Sequence, residues 1–256
     1  MSTLKALIFD VDGTLADTER NGHRVAFNRA FDDAGLGWHW SPALYGKLLA
    51  VTGGKERIRF YLEQFNLEFV KPDDFDGFVA GLHAAKTRFY TELMAQGEIP
   101  LRPGVERLIT EARRAGYRLA ISTTTTPENV TALVTNTLGV AALDWFEVIG
   151  AGDVVPSKKP APDIYDYVLK EMKLTSSEAI AFEDSRNGVL SSLAANLTTV
   201  ITVNDYTAED DFSGAAIVLD QMGEPDAPFT LLAGDAHGQQ HLNIALVEAL
   251  HRSGNG

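Results

Sequence analysis

Cysteine is absent from this 256-residue chain, which excludes disulfides and thiolate metal sites. No apolar run reaches the roughly 18 residues that a membrane span needs. The opening "MSTLKALIFDVDGT" has neither the apolar region nor the cleavage site of a signal peptide, so a cytoplasmic location is expected. Positive charge is scarce: 22 Lys and Arg face 35 Asp and Glu, a formal net charge of −13. That argues against general affinity for nucleic acid or an anionic membrane. It leaves an anionic small substrate open, because local clusters decide that. No internal repeat or low-complexity block is found, and nothing implies an obligatory protein partner. What remains is ordinary globular composition, 45% hydrophobic and 22% charged. The length suits one large domain, or one domain with a sizeable insert, and can bury a core without staples.

Short apolar runs punctuate the chain. Residues 4–9 ("LKALIF"), 117–122 ("YRLAIS"), "WFEVIGA", "EAIAFED", "LTTVIT" and "AAIVL" read as strands, with helical patterns between most of them. Gly116 is placed like a helix C-cap just before the second strand. Strands alternating with helices imply a Rossmann-like parallel sheet, α/β in class, covered on both faces. One interval breaks the rhythm. About a hundred residues separate the first strand from the second, whereas one crossover helix would need about 10 to 15. The stretch "GHRVAFNRAFDDAG", "KERIRFYLEQFN" and "DDFDGFVAGLHAAKTRFYTELMAQG" is helical by spacing. A helical cap domain over 17–95, inserted into a core of 1–16 and 96–256, is therefore expected. Inserts at that point lie on the ligand side of open α/β sheets, which makes this one a candidate lid. The tail from 222 reads as a turn, "GEPDAP", then a helix, "HLNIALVEALHRSG", packed back on the core.

The first strand stops at an aspartate, and "ALIFDVDGTLAD" places a second one two positions on. Like charges that close repel, so a cation, a reaction or a turn must reward them. Asp12-Gly13 could be no more than a tight turn. A calcium loop fits poorly, because Leu15 and Asn21 stand where that pattern wants Gly and Glu. Elsewhere, Thr123 directly follows the second strand, Lys159 lies in "SKKPAPD", and Glu183 and Asp184 follow "AIAF". In a parallel sheet those strand ends converge on one edge. Oxygen-only ligation selects a hard ion, and Mg²⁺ binds through few carboxylates plus phosphate. Such an ion and a lysine flanking a hydroxyl would make a phosphoryl clamp. One carboxylate could attack phosphorus, and another could act as acid and base.

"DVDGTLADTE", "LAISTTTT", "SKKPAPDIY" and "AFEDSRNGV" resemble, in order, the four motifs of the haloacid-dehalogenase (HAD) superfamily. The resemblance implies Asp10 as nucleophile and magnesium ligand. It makes Asp12 the general acid/base, with its backbone carbonyl also facing the metal. Thr123, with Thr124 beside it, would bind the phosphoryl group, and Lys159 would balance charge between phosphoryl and nucleophile. Lys158 is its near neighbour and rival. Asp184 would ligate magnesium with help from Glu183. Dehalogenating members lack an acid/base aspartate at the Asp12 position, so phosphoryl chemistry is favoured.

Residues 44–60 carry Lys47, Lys55, Arg57 and Arg59 against Glu56 alone. A solvated helix face would explain that. So would a site for a second phosphate, since "TGGKER" places glycines and basic residues at a helix start. Glu19 and His23 lie near the expected hinge, and His23 is either a hydrogen-bond donor to substrate or a packing residue. "DTERNGHRVAFNRAF", "GGKER", "TTTTPENV" and the tail are similar to the CbbY-type branch. Members of that branch are phosphatases of xylulose 1,5-bisphosphate, an inhibitory by-product of Rubisco in the Calvin cycle. The rival within the superfamily is a β-phosphoglucomutase-like sugar-phosphate mutase. There a basic or amide residue is expected after the second motif, and "TTTTPEN" offers only Asn129. A receiver-type phosphoacceptor would be about half as long and lack the insert. A silent sugar-phosphate binder would not need the complete catalytic set. A dinucleotide fold fails because "GAGDVV" lacks the third glycine.

Overall fold

The computed structural model describes residues 3–51 and 53–254. Thr52, the first residue of the "TGGKER" stretch, lies outside the described residues, as do the chain ends 1–2 and 255–256 of the expected core domain. The chain divides into two compact units, Thr18–Ile99 and Met1–Asp17 with Pro100–Gly256. The divisions fall one to four residues beyond the boundaries expected from sequence. Helical spacing ends at residue 95, but the backbone pairing that marks the other unit resumes only at Leu101, which bridges Ala16.

The helical unit opens with a π-helical turn, Thr18–His23. It continues through α1 (Arg24–Asp33), α2 (Pro42–Leu48), α3 (Gly54–Gln64) and α4 (Phe75–Ala95). Helix α2 starts where Ser41 accepts from the Leu44 amide and Pro42 occupies the first turn. Helix α4 starts where Asp74 accepts from the Gly77 amide. Along α4, Val79, Leu82, Lys86, Tyr90 and Leu93 share one buried stripe at helical spacing. That stripe packs on Ala26, Phe27, Ala30 and Phe31 of α1. Trp40 is fully buried, with ring centres 4.6 Å from Phe27, 4.8 Å from Phe31 and 5.3 Å from Tyr61. The Asn28 carboxamide fixes it by donating to the Trp40 carbonyl at 3.0 Å and accepting its amide at 2.8 Å. Trp38 and Trp40 are thus packing residues of an aromatic core.

Among the described residues the α/β unit has seven strands: β1 (Ala6–Phe9), β2 (Arg118–Ser122), β3 (Phe146–Gly150), β4 (Ala179–Glu183), β5 (Thr198–Thr202), β6 (Ile217–Leu219) and β7 (Leu231–Gly234). Their order is β3-β2-β1-β4-β5-β6-β7. All pairs are parallel except β6 with β7. Helices α5 (Val105–Arg114), α6 (Pro127–Leu138), α7 (Asp163–Met172), α8 (Arg186–Ala194) and α9 (Ile244–Gly254) complete it. Ala6 and Ile8 pack in one cluster with Ile164, Tyr165 and Val168 of α7. Leu7 and Phe9 alternate to the opposite face and are equally buried. Both faces are therefore covered, as a parallel sheet requires.

The α/β class with a mostly parallel sheet stands. The exception is β7, an antiparallel edge strand in the tail, where only a turn and a helix were expected. Its four residues are all exposed, so no burial pattern announces it. Helix α9 does pack back, with Leu246, Val247 and Leu250 buried. No helix among the described residues is long and apolar enough to cross a membrane.

Candidate active site

Strand register builds the site. Phe9 of β1 pairs with Ile121 of β2 on one side and Phe182 of β4 on the other. Phe9 and Phe182 stack with ring centres 4.5 Å apart. The next residue along each strand is therefore brought to one edge: Ser122, Asp10 and Glu183, followed by Thr123 and Asp184. This edge is the carboxyl end of the sheet. From β1 the order runs to β2 one way and to β4 the other, the switch point where open α/β sheets bind ligands.

Lys159 closes the arrangement. Its Nζ donates to Asp10 Oδ1 at 2.6 Å and to the Ser122 carbonyl at 2.8 Å, and it lies 2.6 Å from Glu183 Oε1. All three charged side chains are at least nine-tenths buried. The Lys159–Pro160 peptide is cis. Lys158 points elsewhere, to exposed Asp153 at 2.7 Å, so the two neighbouring lysines divide cleanly between interior and surface. The phenol of Tyr165, on α7, donates to Glu183 Oε1 from below.

Asp10, Glu183 and Asp184 each offer an oxygen within 4.8 Å of the other two. Burial pushes Glu183 up to about 7, with the Asp10 charge adding to the push and Lys159 opposing it. Burial likewise drives Asp184 well above the carboxylate range, followed by the charges of Asp10 and Glu183. Burial alone would depress the Lys159 ammonium, but the Asp10 and Glu183 charges outweigh it and hold it above its ordinary value. The Lys159 ammonium and the Arg102 guanidinium, which also faces Asp17, leave the three buried carboxylates incompletely neutralised. Among the described residues, Glu183 Oε2 is buried without a hydrogen-bond partner. The donor set is oxygen alone, and these observations fit a hard divalent cation.

Two glycines make room for the carboxylates. Gly13 has φ +87°, and a Cβ there would stand 2.1 Å from Asp184 Oδ2 and 2.6 Å from Asn204 Nδ2. A Cβ on Gly188, in the first turn of α8, would stand 1.9 Å from Glu183 Oε2. Asn204, after β5, donates from Nδ2 to Asp184 Oδ2 at 2.7 Å. Arg102 is buried beneath. Its guanidinium donates to the carbonyls of Gly13, Thr202, Val203 and Asp220 and lies 3.4 Å from Asp17. Burial lowers the Arg102 value, opposed by Asp17, Asp184 and Asp220. Sequence reasoning missed Tyr165, Asn204 and Arg102. Tyr165 falls within "SKKPAPDIY", so its motif was visible but its hydroxyl had no assigned task.

Thr123 is buried, and its Oγ1 accepts from the Thr125 amide at 3.3 Å. Thr124 is exposed. Asn129, the loop's amide, donates to Thr125 Oγ1 at 3.1 Å. Asp12 is half-buried in the turn after β1, where Gly13 donates to the Ala16 carbonyl. Its carboxylate is not one of the three clustered ligands.

The remaining candidates belong to the helical unit. Arg57 turns inward: its guanidinium donates to Tyr45 Oη at 2.7 Å and the Val51 carbonyl at 3.3 Å, with Glu19 at 3.9 Å. Tyr45 in turn donates to Glu19 at 2.6 Å. Arg59 pairs with Asp76 at 2.8 Å. The basic run at 44–60 is therefore no uniform charged face, because helical rotation sends Arg57 to the core and leaves Lys55 exposed. His23 stacks on Tyr90 at 4.1 Å, and its Nδ1 lies 2.8 Å from Lys86 Nζ. Burial holds the imidazole well below its ordinary value, with Lys86, Arg57 and His83 adding to the effect. Accepting from an ammonium at Nδ1 assigns the ring proton to Nε2. His23 thus packs on Tyr90 with its Nδ1 engaged by Lys86.

A buried lysine among three clustered carboxylates at the switch point of a parallel sheet defines the site. The family model of the haloacid dehalogenase-like hydrolases matches residues 4–196, and the chain belongs to that family. Protein CbbY (plasmid) of Cupriavidus necator is 44% identical over 252 residues, 97% of each chain. Protein CbbY of Rhodobacter capsulatus is 50% identical over 212 residues, covering 83% of this chain and 91% of its own. The crystal structure of CbbY from Rhodobacter sphaeroides in complex with phosphate is 45% identical, with TM-score 0.73 over 86% of this chain and 95% of that one. Its D10N mutant in complex with xylulose 1,5-bisphosphate is 44% identical, with the same TM-score and coverage. The superfamily read from the four motifs and the CbbY-type branch read from the helical stretch, the loop after the second motif and the tail are both borne out.

Proposed function

We propose that this protein is a Mg²⁺-dependent phosphatase of a small sugar bisphosphate, xylulose 1,5-bisphosphate, acting through an aspartyl phosphate on Asp10. The observation that carries the reading is Lys159, buried between Asp10 and Glu183 at the sheet switch point. Asp10, Glu183 and Asp184 would hold the ion, joined by the backbone carbonyl of Asp12. When bound, Mg²⁺ supplies charge neutralisation and polarisation of the phosphoryl group.

The chain's own residues do the rest. An Asp10 carboxylate oxygen bonds to phosphorus while the ester P–O bond breaks. Asp12 gives its proton to the departing alkoxide oxygen, then takes one from water as that water attacks phosphorus. The second displacement frees inorganic phosphate and restores Asp10. Thr123, with Thr124 beside it, hydrogen-bonds the phosphoryl oxygens. Lys159 holds Asp10 in one orientation and offsets charge as it develops. In the helical unit, Lys55, Arg57, His23 and Glu19 serve the sugar and its second phosphate. The CbbY complex with xylulose 1,5-bisphosphate supports this choice of substrate. The engagement of Asn129 with Thr125 supports hydrolysis over a mutase.

The test is a paired assay with Mg²⁺: phosphate released from xylulose 1,5-bisphosphate, and isomerised product from a hexose 1-phosphate. Phosphate release from the bisphosphate without isomerisation is expected. Isomerisation without net phosphate release would replace the phosphatase by the mutase.

A further inference from the structure

Asp184 is held from a direction that none of the four motifs supplies. Asn204 donates from Nδ2 to Asp184 Oδ2 at 2.7 Å. The carboxamide cannot flip without losing its other bond, because Asn204 Oδ1 accepts the Tyr206 amide at 2.9 Å. The backbone is fixed as well. The Asn204 amide donates to Thr207 Oγ1 at 3.1 Å, and the Thr207 amide returns to the Asn204 carbonyl at 3.2 Å. The two residues before Asn204 give their carbonyls to buried Arg102, which also takes the carbonyl of Gly13. Gly13 in turn is the residue whose missing side chain leaves space for Asp184 Oδ2 and Asn204 Nδ2. Asp184, Asn204 and Gly13 thus form one close-packed contact, stapled on both sides by a single guanidinium.

We propose that Asn204 is a positioning residue for ion binding: it fixes the rotamer of Asp184 so that this carboxylate meets the ion with Asp10 and Glu183. The inference rests on the proposed function only in taking those three carboxylates as the ion's ligands. Partners that orient metal ligands typically change affinity by about 10- to 100-fold when removed. Among the described residues, the Asn204 carboxamide's second bond is internal to the turn, which leaves Nδ2 directed at Asp184.

The experiment measures Mg²⁺ binding to the full chain directly, by calorimetry without substrate, for wild type, Asn204→Ala and Thr207→Val. Thr207→Val removes the bond from the Asn204 amide to Thr207 Oγ1 and leaves the Asn204 carboxamide in place, so it reports on loop integrity apart from the Asp184 contact. Asn204→Ala is expected to weaken Mg²⁺ binding about tenfold or more. It should raise the Mg²⁺ concentration for half-maximal activity in parallel and leave KM for substrate at saturating Mg²⁺ little changed. Thr207→Val should bind Mg²⁺ as wild type does. Equal Mg²⁺ affinity in Asn204→Ala and wild type would overturn the assignment, as would an equal loss in Thr207→Val. A wild-type protein that binds Mg²⁺ tightly yet releases no phosphate would instead count against the phosphatase reading and leave the Asn204 comparison readable.

Discussion

The Lys159 ammonium stands 2.6 Å from the Asp10 carboxylate, with both side chains more than nine-tenths buried. A charge pair so withdrawn from water is costly to break, because the survivor keeps its desolvation penalty. Lys159→Met strands Asp10 and Glu183 together. It should destabilise the protein by about 3–5 kcal/mol and abolish phosphate release. Lys158→Ala, whose partner Asp153 is exposed, should change neither by a measurable amount. Thermal melts and steady-state kinetics of the two variants decide this. Equal behaviour would remove Lys159 from the site.

The carboxylate cluster makes stability depend on pH in a definite direction. Glu183 is raised to about 7 from an ordinary 4.5, and Asp184 moves the same way. Between those values the folded ion-free protein keeps a proton that the unfolded chain has released, so stability falls as pH rises through the window. With chelator present, Tm should drop between about pH 5 and about pH 7 more steeply in wild type than in Glu183→Gln. A divalent cation held by these carboxylates would compete with that proton, so added Mg²⁺ should stabilise more above the window than below it. A chelated wild type whose Tm rises across the window relative to Glu183→Gln would contradict the account.

Gly13→Ala tests close packing. The position has a left-handed backbone, and the new methyl would meet Asp184 Oδ2. Strain of about 1–2 kcal/mol is expected from the backbone alone. Displacing Asp184 by about an ångström should cost about a hundredfold in kcat/KM. Near-normal activity would mean that Asp184 tolerates movement.

How far the chain could be read without coordinates follows from where each feature's cause lies. Asp10, Lys159, Glu183 and Asp184 each sit at a strand end or in a loop there. Parallel register therefore brings them together whatever the side-chain details, and local patterns suffice to find them. Arg102 and Asn204 gain their meaning only from which loops meet: Arg102 touches carbonyls more than 80 residues away in either direction. Spacing carries no trace of that. Arg57 shows the opposite limit. It was visible as one of four basic residues, but the sequence could not say which would rotate inward to Tyr45. The strand β7 was missed because all four of its residues are exposed, and edge pairing to β6 leaves no hydrophobic alternation.

The inward turn of Arg57 changes the expectation for the helical unit. Arg57→Ala removes the bonds to Tyr45 and Val51, so it should lower Tm as well as bisphosphate turnover. Lys55→Ala, on an exposed side chain, should lower kcat/KM for the bisphosphate with no change in Tm and little change for a generic aryl phosphate. Equal losses on both substrates would remove the second-phosphate role.

The proposed mechanism requires phosphorus to pass through a covalent bond to Asp10. Enzyme mixed with Mg²⁺ and xylulose 1,5-bisphosphate, quenched within a turnover and reduced with borohydride, should yield homoserine at position 10, read by peptide mass spectrometry. Asp10→Asn should yield none and lose about a thousandfold or more in rate. An unreduced Asp10 during active turnover, or a trapped acyl phosphate on any other carboxylate, would contradict the account.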